Sequence, residues 1–125
     1  MNEKFNTIMP ESEGCVLCYM VDKPISASGY QENYLRRTRE ILEQYGDLRV
    51  LVYFKEYQGW EKEAAAMDFA QGHDHYARMS KIALVNPPPN LITLSELRKD
   101  IIKTPTRFFN ENELQDALRW IKEDI

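Results

Sequence analysis

Residues 15–21, 48–54 and 82–85 are apolar nearly throughout, and those three short runs constrain the fold more than any other feature. A strand that alternates apolar and polar residues leaves one face in water, whereas a continuous apolar run of this length fits a strand covered on both faces. The stretches between the runs carry helical spacing instead. Ser28 with Gln31 makes a capping-box signature, Gly46 marks a helix end, and Tyr30, Tyr34, Ile41, Leu42 and Tyr45 form an apolar stripe between them. Gln58-Gly59 turns the chain into a helix expected from about Trp60 to Ala77, whose Ala64-Ala65-Ala66 segment permits close packing on a sheet.

Pro87-Pro88-Pro89 stops the third run, because proline cannot donate to a ladder. Thr93 with Glu96 opens another helix along Leu94, Leu97 and Ile101. A short strand over residues 106–109 leads to Asn110 and Glu113, which open a final helix on Leu114, Ala117, Leu118 and Ile121. Residues 4–9 add a leading strand, joined to the first apolar run by the turn at 10–14. Strands alternating with helices form right-handed βαβ units. The expected fold is therefore α/β: one three-layer domain over residues 1–125, with a mixed, mostly parallel five-stranded sheet flanked by four helices.

With 125 residues, 43% hydrophobic and 29% charged, the chain can bury a core without disulfide or metal staples. A net charge of −4 repels phosphate backbones, so nucleic acid is not an expected partner. Met1-Asn2-Glu3-Lys4 has no basic region leading into an apolar stretch, and no apolar run approaches the roughly 20 residues of a spanning helix. A cytoplasmic location with reduced cysteines is the expectation.

In a sheet of this kind, ligands bind outside the carboxyl ends of the strands, at a topological switch point. Those ends carry Phe54, Tyr57, Gly59 and Trp60 on one loop and Pro87 on the next. Gly59 lets the backbone turn sharply, and Trp60 supplies a large apolar face with one N–H donor. Packing into the core is the ordinary role of such an aromatic corner; facing a ligand or partner is the sharper one.

Other constellations carry less. Cys15 and Cys18 form C-x-x-C, but in a strand residues i and i+3 point to opposite faces about 10 Å apart, so the pair reads as core rather than as a redox or zinc site. His73 and His75 point about 200° apart on a helix, so no metal is expected. Asp68 and His75 share a helix face two turns apart; dipole complementation is their ordinary role, and lining a pocket is the alternative. In the run Arg36-Arg37-Thr38-Arg39, Arg36 lies four residues from Glu32 and Glu40 and Arg39 four from Glu43, as on a solvated helix face. No G-x-S-x-G elbow, P-loop or G-x-G-x-x-G occurs, so neither a catalytic residue nor a cofactor is expected.

Tyr57-Gln58-Gly59-Trp60, then Asp68, His75, Lys81-Ile82-Ala83-Leu84-Val85, and Phe109 through Ala117-Leu118-Arg119-Trp120-Ile121, together resemble the SpoIIAA-like (STAS-type) family over nearly the whole chain. The resemblance implies a mixed sheet flanked by helices, no enzymatic activity, and binding of a small, lipid-like ligand or of another protein. It singles out Trp60, Asp68 and His75. Two places depart from the family pattern. Asp22-Lys23-Pro24 stands where Gly-Lys-aliphatic is usual, and Pro87-Pro88-Pro89-Asn90 where a Trp is common. Related anti-anti-sigma proteins switch by phosphorylating a Ser at the strand–helix junction; with no Ser or Thr from Tyr53 to Met79, that switch is not expected here.

The leading expectation is thus a binding module, not an enzyme, for a small apolar ligand at Phe54, Tyr57, Gly59, Trp60, Asp68, His75 and Pro87. A protein-interaction domain, homodimeric or with another partner, is the alternative, and an enzyme using His75 is a distant third.

Overall fold

The computed structural model describes residues 6–23, 29–56, 78–89 and 104–123. Five strands, Thr7–Ile8 (β1), Val16–Val21 (β2), Arg49–Phe54 (β3), Lys81–Val85 (β4) and Thr106–Phe109 (β5), form one sheet in the order β1-β2-β3-β4-β5. β1 runs antiparallel to β2, and the other neighbours are parallel. The mixed, mostly parallel five-stranded sheet expected of the apolar runs is therefore present. Its order among the described strands never reverses, so the carboxyl rim has no switch-point crevice between them.

The strands are covered on both faces, as their composition requires. Leu17, Tyr19, Val21, Val50, Phe54, Ile82 and Leu84 point to one side, where they meet Tyr34, Leu35 and Ile41. Val16, Cys18, Leu51, Ala83, Val85 and Phe109 point to the other, where they meet Ala117, Leu118 and Ile121. Each large apolar side chain fully withdrawn from water contributes about 1.5–3 kcal/mol, so these two layers dominate the stability.

Two helical segments are described rather than the four expected. The first begins as a π-helix, Tyr30–Leu35, and continues as an α-helix, Arg36–Tyr45 (α1). The second begins as a 3-10 turn, Glu111–Glu113, and continues as Leu114–Lys122 (α2). The helices expected from Trp60 to Ala77 and along Leu94 to Ile101 lie outside the described residues, as does Ser28 of the first capping box. Gly46 ends α1 as expected, at φ 69° with its amide on the Leu42 carbonyl at 2.9 Å. The Asn110–Glu113 capping box is also formed.

Tyr45 departs from its expected place in the apolar stripe. It is 49% exposed at the last turn of α1, whereas Thr38, whose hydroxyl donates to the Leu35 carbonyl at 2.8 Å, is fully buried. The wider π turn before α1 delays the stripe, and a Thr whose hydroxyl bonds within its own helix can enter the core. β1 takes up Thr7–Ile8 of the expected residues 4–9, of which 4 and 5 lie outside the described residues. Among the described residues no helix is long and apolar enough to cross a membrane.

The amino ends of β3 and β4 hold the far end of α2. Arg49, buried, donates from Nη1 to the Ile121 carbonyl at 3.0 Å and also to that of Glu123. Lys81 donates to the Trp120 carbonyl at 3.0 Å. The last carbonyls of a helix have no partner within it and carry partial negative charge, so two cations there satisfy hydrogen bonds and dipole together.

Candidate functional site

The carboxyl ends of β2, β3, β4 and β5 lie along one rim, and short polar connections fix it. At the end of β2 the buried Asn6 side chain accepts from the amides of Asp22 (2.9 Å) and Lys23 (2.8 Å). Its Nδ2 donates to the Lys23 carbonyl at 3.3 Å. Asn33, in the π-helix, donates to the Asn6 carbonyl at 2.7 Å. Tyr19 lies beneath this cluster with its ring 5.3 Å from that of Tyr34. Burial pushes the Tyr19 phenol above its ordinary pKa, and hydrogen bonding to Asn33 and Asn6 pulls partly back.

Phe54 closes β3, 3% exposed in the core layer that meets α1. Its carbonyl accepts from Asn86 Nδ2 at 2.9 Å, while the Asn86 amide donates to the Phe109 carbonyl at 2.8 Å. One residue thereby ties the ends of β3, β4 and β5. It does so at φ 56°, a left-handed conformation that Asn tolerates better than most side chains. Pro87 follows directly and is half-buried. On the opposite face of the sheet, Tyr53 donates to Glu111 Oε1 at 3.1 Å. Desolvation and this carboxylate raise the Tyr53 pKa.

Of the residues singled out by sequence, Phe54 and Pro87 therefore share one rim, joined through Asn86. Tyr57, Gly59, Trp60, Asp68 and His75 lie outside the described residues. Asn6 and Asn33 went unmarked, and Asn86 stood in the loop of interest without being a site residue. Asn86 carried a usable signal, since an Asn at the end of a strand and before proline is suited to a left-handed turn. Asn6 carried none, because the amides it serves follow the end of β2, 16 residues and more along the chain.

The rim's chemistry is that of packing and hydrogen bonding. Among the described residues its charged groups are Lys23, paired with Asp22 at 3.1 Å, and the exposed Lys55, Glu56 and Glu111. Among the described residues, no three His, Cys, Asp or Glu side chains gather where they could hold an ion. Both cysteines are free, and they sit toward the other end of the sheet. Also at that end, a cleft of about 120 Å³ opens between the turn at Ser12–Gly14 and the Arg37, Glu40 and Tyr45 side of α1. It is small and mostly polar, and it is not continuous with the Phe54–Pro87 rim.

Comparison with known proteins bears on the fold. The family model described as SpoIIAA-like matches residues 16–122. Among solved structures, the chain is similar to an uncharacterised protein of the DUF3478 family with a SpoIIAA-like fold, from Shewanella loihica PV-4. The TM-score is 0.67 at 18% identity, covering 97% of each chain. No curated protein matches.

Proposed function

Since this chain belongs to the SpoIIAA-like family, we propose that it is a non-enzymatic binding module that takes a small apolar, lipid-like ligand at the carboxyl rim of its sheet. The observation that carries this reading is the Asn86 link, which holds Phe54 and the start of the Pro87–Pro89 segment together where parallel strands end. The proposed contacts are Phe54, Tyr57, Gly59, Trp60 and Pro87 for the apolar part of the ligand, with Asp68 or His75 for a polar group. Phe54 serves as the buried floor of that site, given its burial. Four flanking helices in one domain, and a place of work in the cytoplasm, are proposed with this reading.

A second reading, a protein-interaction module without a phosphorylation switch, draws support from exposed apolar side chains, Tyr45 at 49% and Phe108 at 37%. Thermal-shift titration with saturated fatty acids separates the two. A ligand held at the rim stabilises the native state by about 2.7 kcal/mol at 100-fold excess over Kd. The shift is expected to saturate and to vanish in Trp60→Ala. No shift with any chain length, together with a mass that grows with protein concentration, rejects the ligand reading in favour of the second.

A further inference from the structure

β5 is an edge of the sheet, and among the described residues it pairs with β4 alone. The Pro105 carbonyl accepts from Ile82 and the Phe109 carbonyl from Asn86, so the backbone groups of residues 105, 107 and 109 face β4. Successive residues of a strand alternate sides, which turns the N–H and C=O of Thr106 and Phe108 outward. Four hydrogen-bonding groups thus stand ready for an added strand.

β5 is short and carries a charge at Arg107, so an added strand has to answer that charge. Phe108, paired in register with Leu84, is exposed on the face that α1 covers farther in. Arg107 is exposed on the other face, its guanidinium 4.9 Å from the Phe109 ring centroid and 5.4 Å from that of Trp120. Lying against two rings, the guanidinium keeps the N–H groups at its edge available for a planar anion. No carboxylate among the described residues takes them. The neighbouring cation, Lys81, lies 4.8 Å from the same Trp120 ring but spends its donors on the end of α2. An arginine beside two rings, with no carboxylate on it among the described residues, next to open backbone groups and an exposed phenylalanine, is a three-part match for one kind of occupant.

We infer that the β5 edge binds an extended acidic segment of another protein, whose backbone pairs with Thr106 and Phe108. Its alternate side chains set a carboxylate on Arg107 and an aliphatic group on Phe108. This is strand addition, with affinity from main-chain bonds and selection from the two faces. Charge complementarity chooses this occupant over a second copy of the chain. A two-fold pairing of β5 with itself centred on Arg107 sets like charges opposite each other, and one centred on Thr106 or on Phe108 leaves the guanidinium unanswered. The site lies on the strand's flank and does not depend on a ligand at the carboxyl rim.

The test is fluorescence anisotropy with a labelled octapeptide alternating glutamate and valine, at low salt, on the full chain. Saturable binding is expected, weakened about tenfold or more by Arg107→Glu and by exchanging the peptide's glutamates for lysines. The Arg107→Glu protein is expected to prefer the lysine peptide. Far-UV circular dichroism checks that this exposed substitution leaves the fold intact, and amide shifts at Thr106 and Phe108 locate the peptide. Equal affinity for wild type and Arg107→Glu, shifts confined to other strands, or no saturation into the millimolar range overturns the proposal. A doubling of mass that perturbs the same two amides without peptide also overturns it, in favour of self-pairing. Trp60→Ala is expected to leave peptide binding unchanged, so failure here is distinct from failure of the rim site.

Discussion

Cys18 is fully buried between β2 and α2, and burial pushes its thiol from an ordinary pKa of 9.0 up to about 11, with Lys122 pulling partly back. The folded chain therefore keeps the proton to higher pH than the unfolded chain does. Below about pH 9 both states hold it and the thiol leaves stability unchanged. As pH rises through the window from 9 to 11, the unfolded state ionises first and stability falls, by on the order of 2–3 kcal/mol at full separation. Urea midpoints at pH 8 and at about pH 10.5 check this. Wild type is expected to lose more stability between the two than Cys18→Ala, and parallel losses would show that the thiol stays solvated. The core reading of the C-x-x-C pair rested on both cysteines lying inside one strand; it holds for Cys18, whereas Cys15 precedes β2 and is half-buried. Asn6 shows the converse. A lone polar residue near an edge looks like surface in a sequence, and only the return of the chain reveals three hydrogen bonds converging on its side chain.

At the scale of elements, β2, β3 and β4 were legible because burial on both faces leaves a continuous apolar run along them. The capping box at Asn110 was legible because both of its partners are local. Arg49 was not, since it reads as the polar flank of an apolar run while the carbonyl it serves is 72 residues away. The π-helical start of α1 was not either, because its wider hydrogen bonds leave no mark on residue spacing alone. Burial separates the two cations that hold α2. Arg49 is 8% exposed and Lys81 is half-buried. Arg49→Met is expected to cost about 2–4 kcal/mol, because helix-end carbonyls lose a charged donor out of water. Lys81→Met costs about 1 kcal/mol, as solvent can take over part of its role. Chemical denaturation of both variants checks the ranking; equal losses would mean that solvent reaches Arg49 as well.

For the whole molecule, the sheet order predicts a gradient of protection. Amides of β2, β3 and β4 bond to strands on both sides, whereas β1 and β5 have one partner each among the described strands. In hydrogen exchange the three inner strands are expected to open only with global unfolding, and β5 ahead of them. Exchange at Phe108 as slow as at Leu51 would mean that its outward amide is already covered. The layered α/β architecture was readable from the alternation of strand and helix, but the order of the strands was not, since each pairing depends on distant segments. The carboxyl rim could be placed along the chain for the same reason that its shape could not. That uninterrupted strand order also has a consequence for synthesis. Every new strand emerging from the ribosome finds its neighbour already laid down, so the sheet can assemble in step with translation. The helix bearing Ala117, Leu118 and Ile121 emerges after all five strands. Until then Cys18, Leu51, Ala83 and Val85 lack the described helix that covers them, a sticky nascent surface that invites a chaperone or a pause during translation.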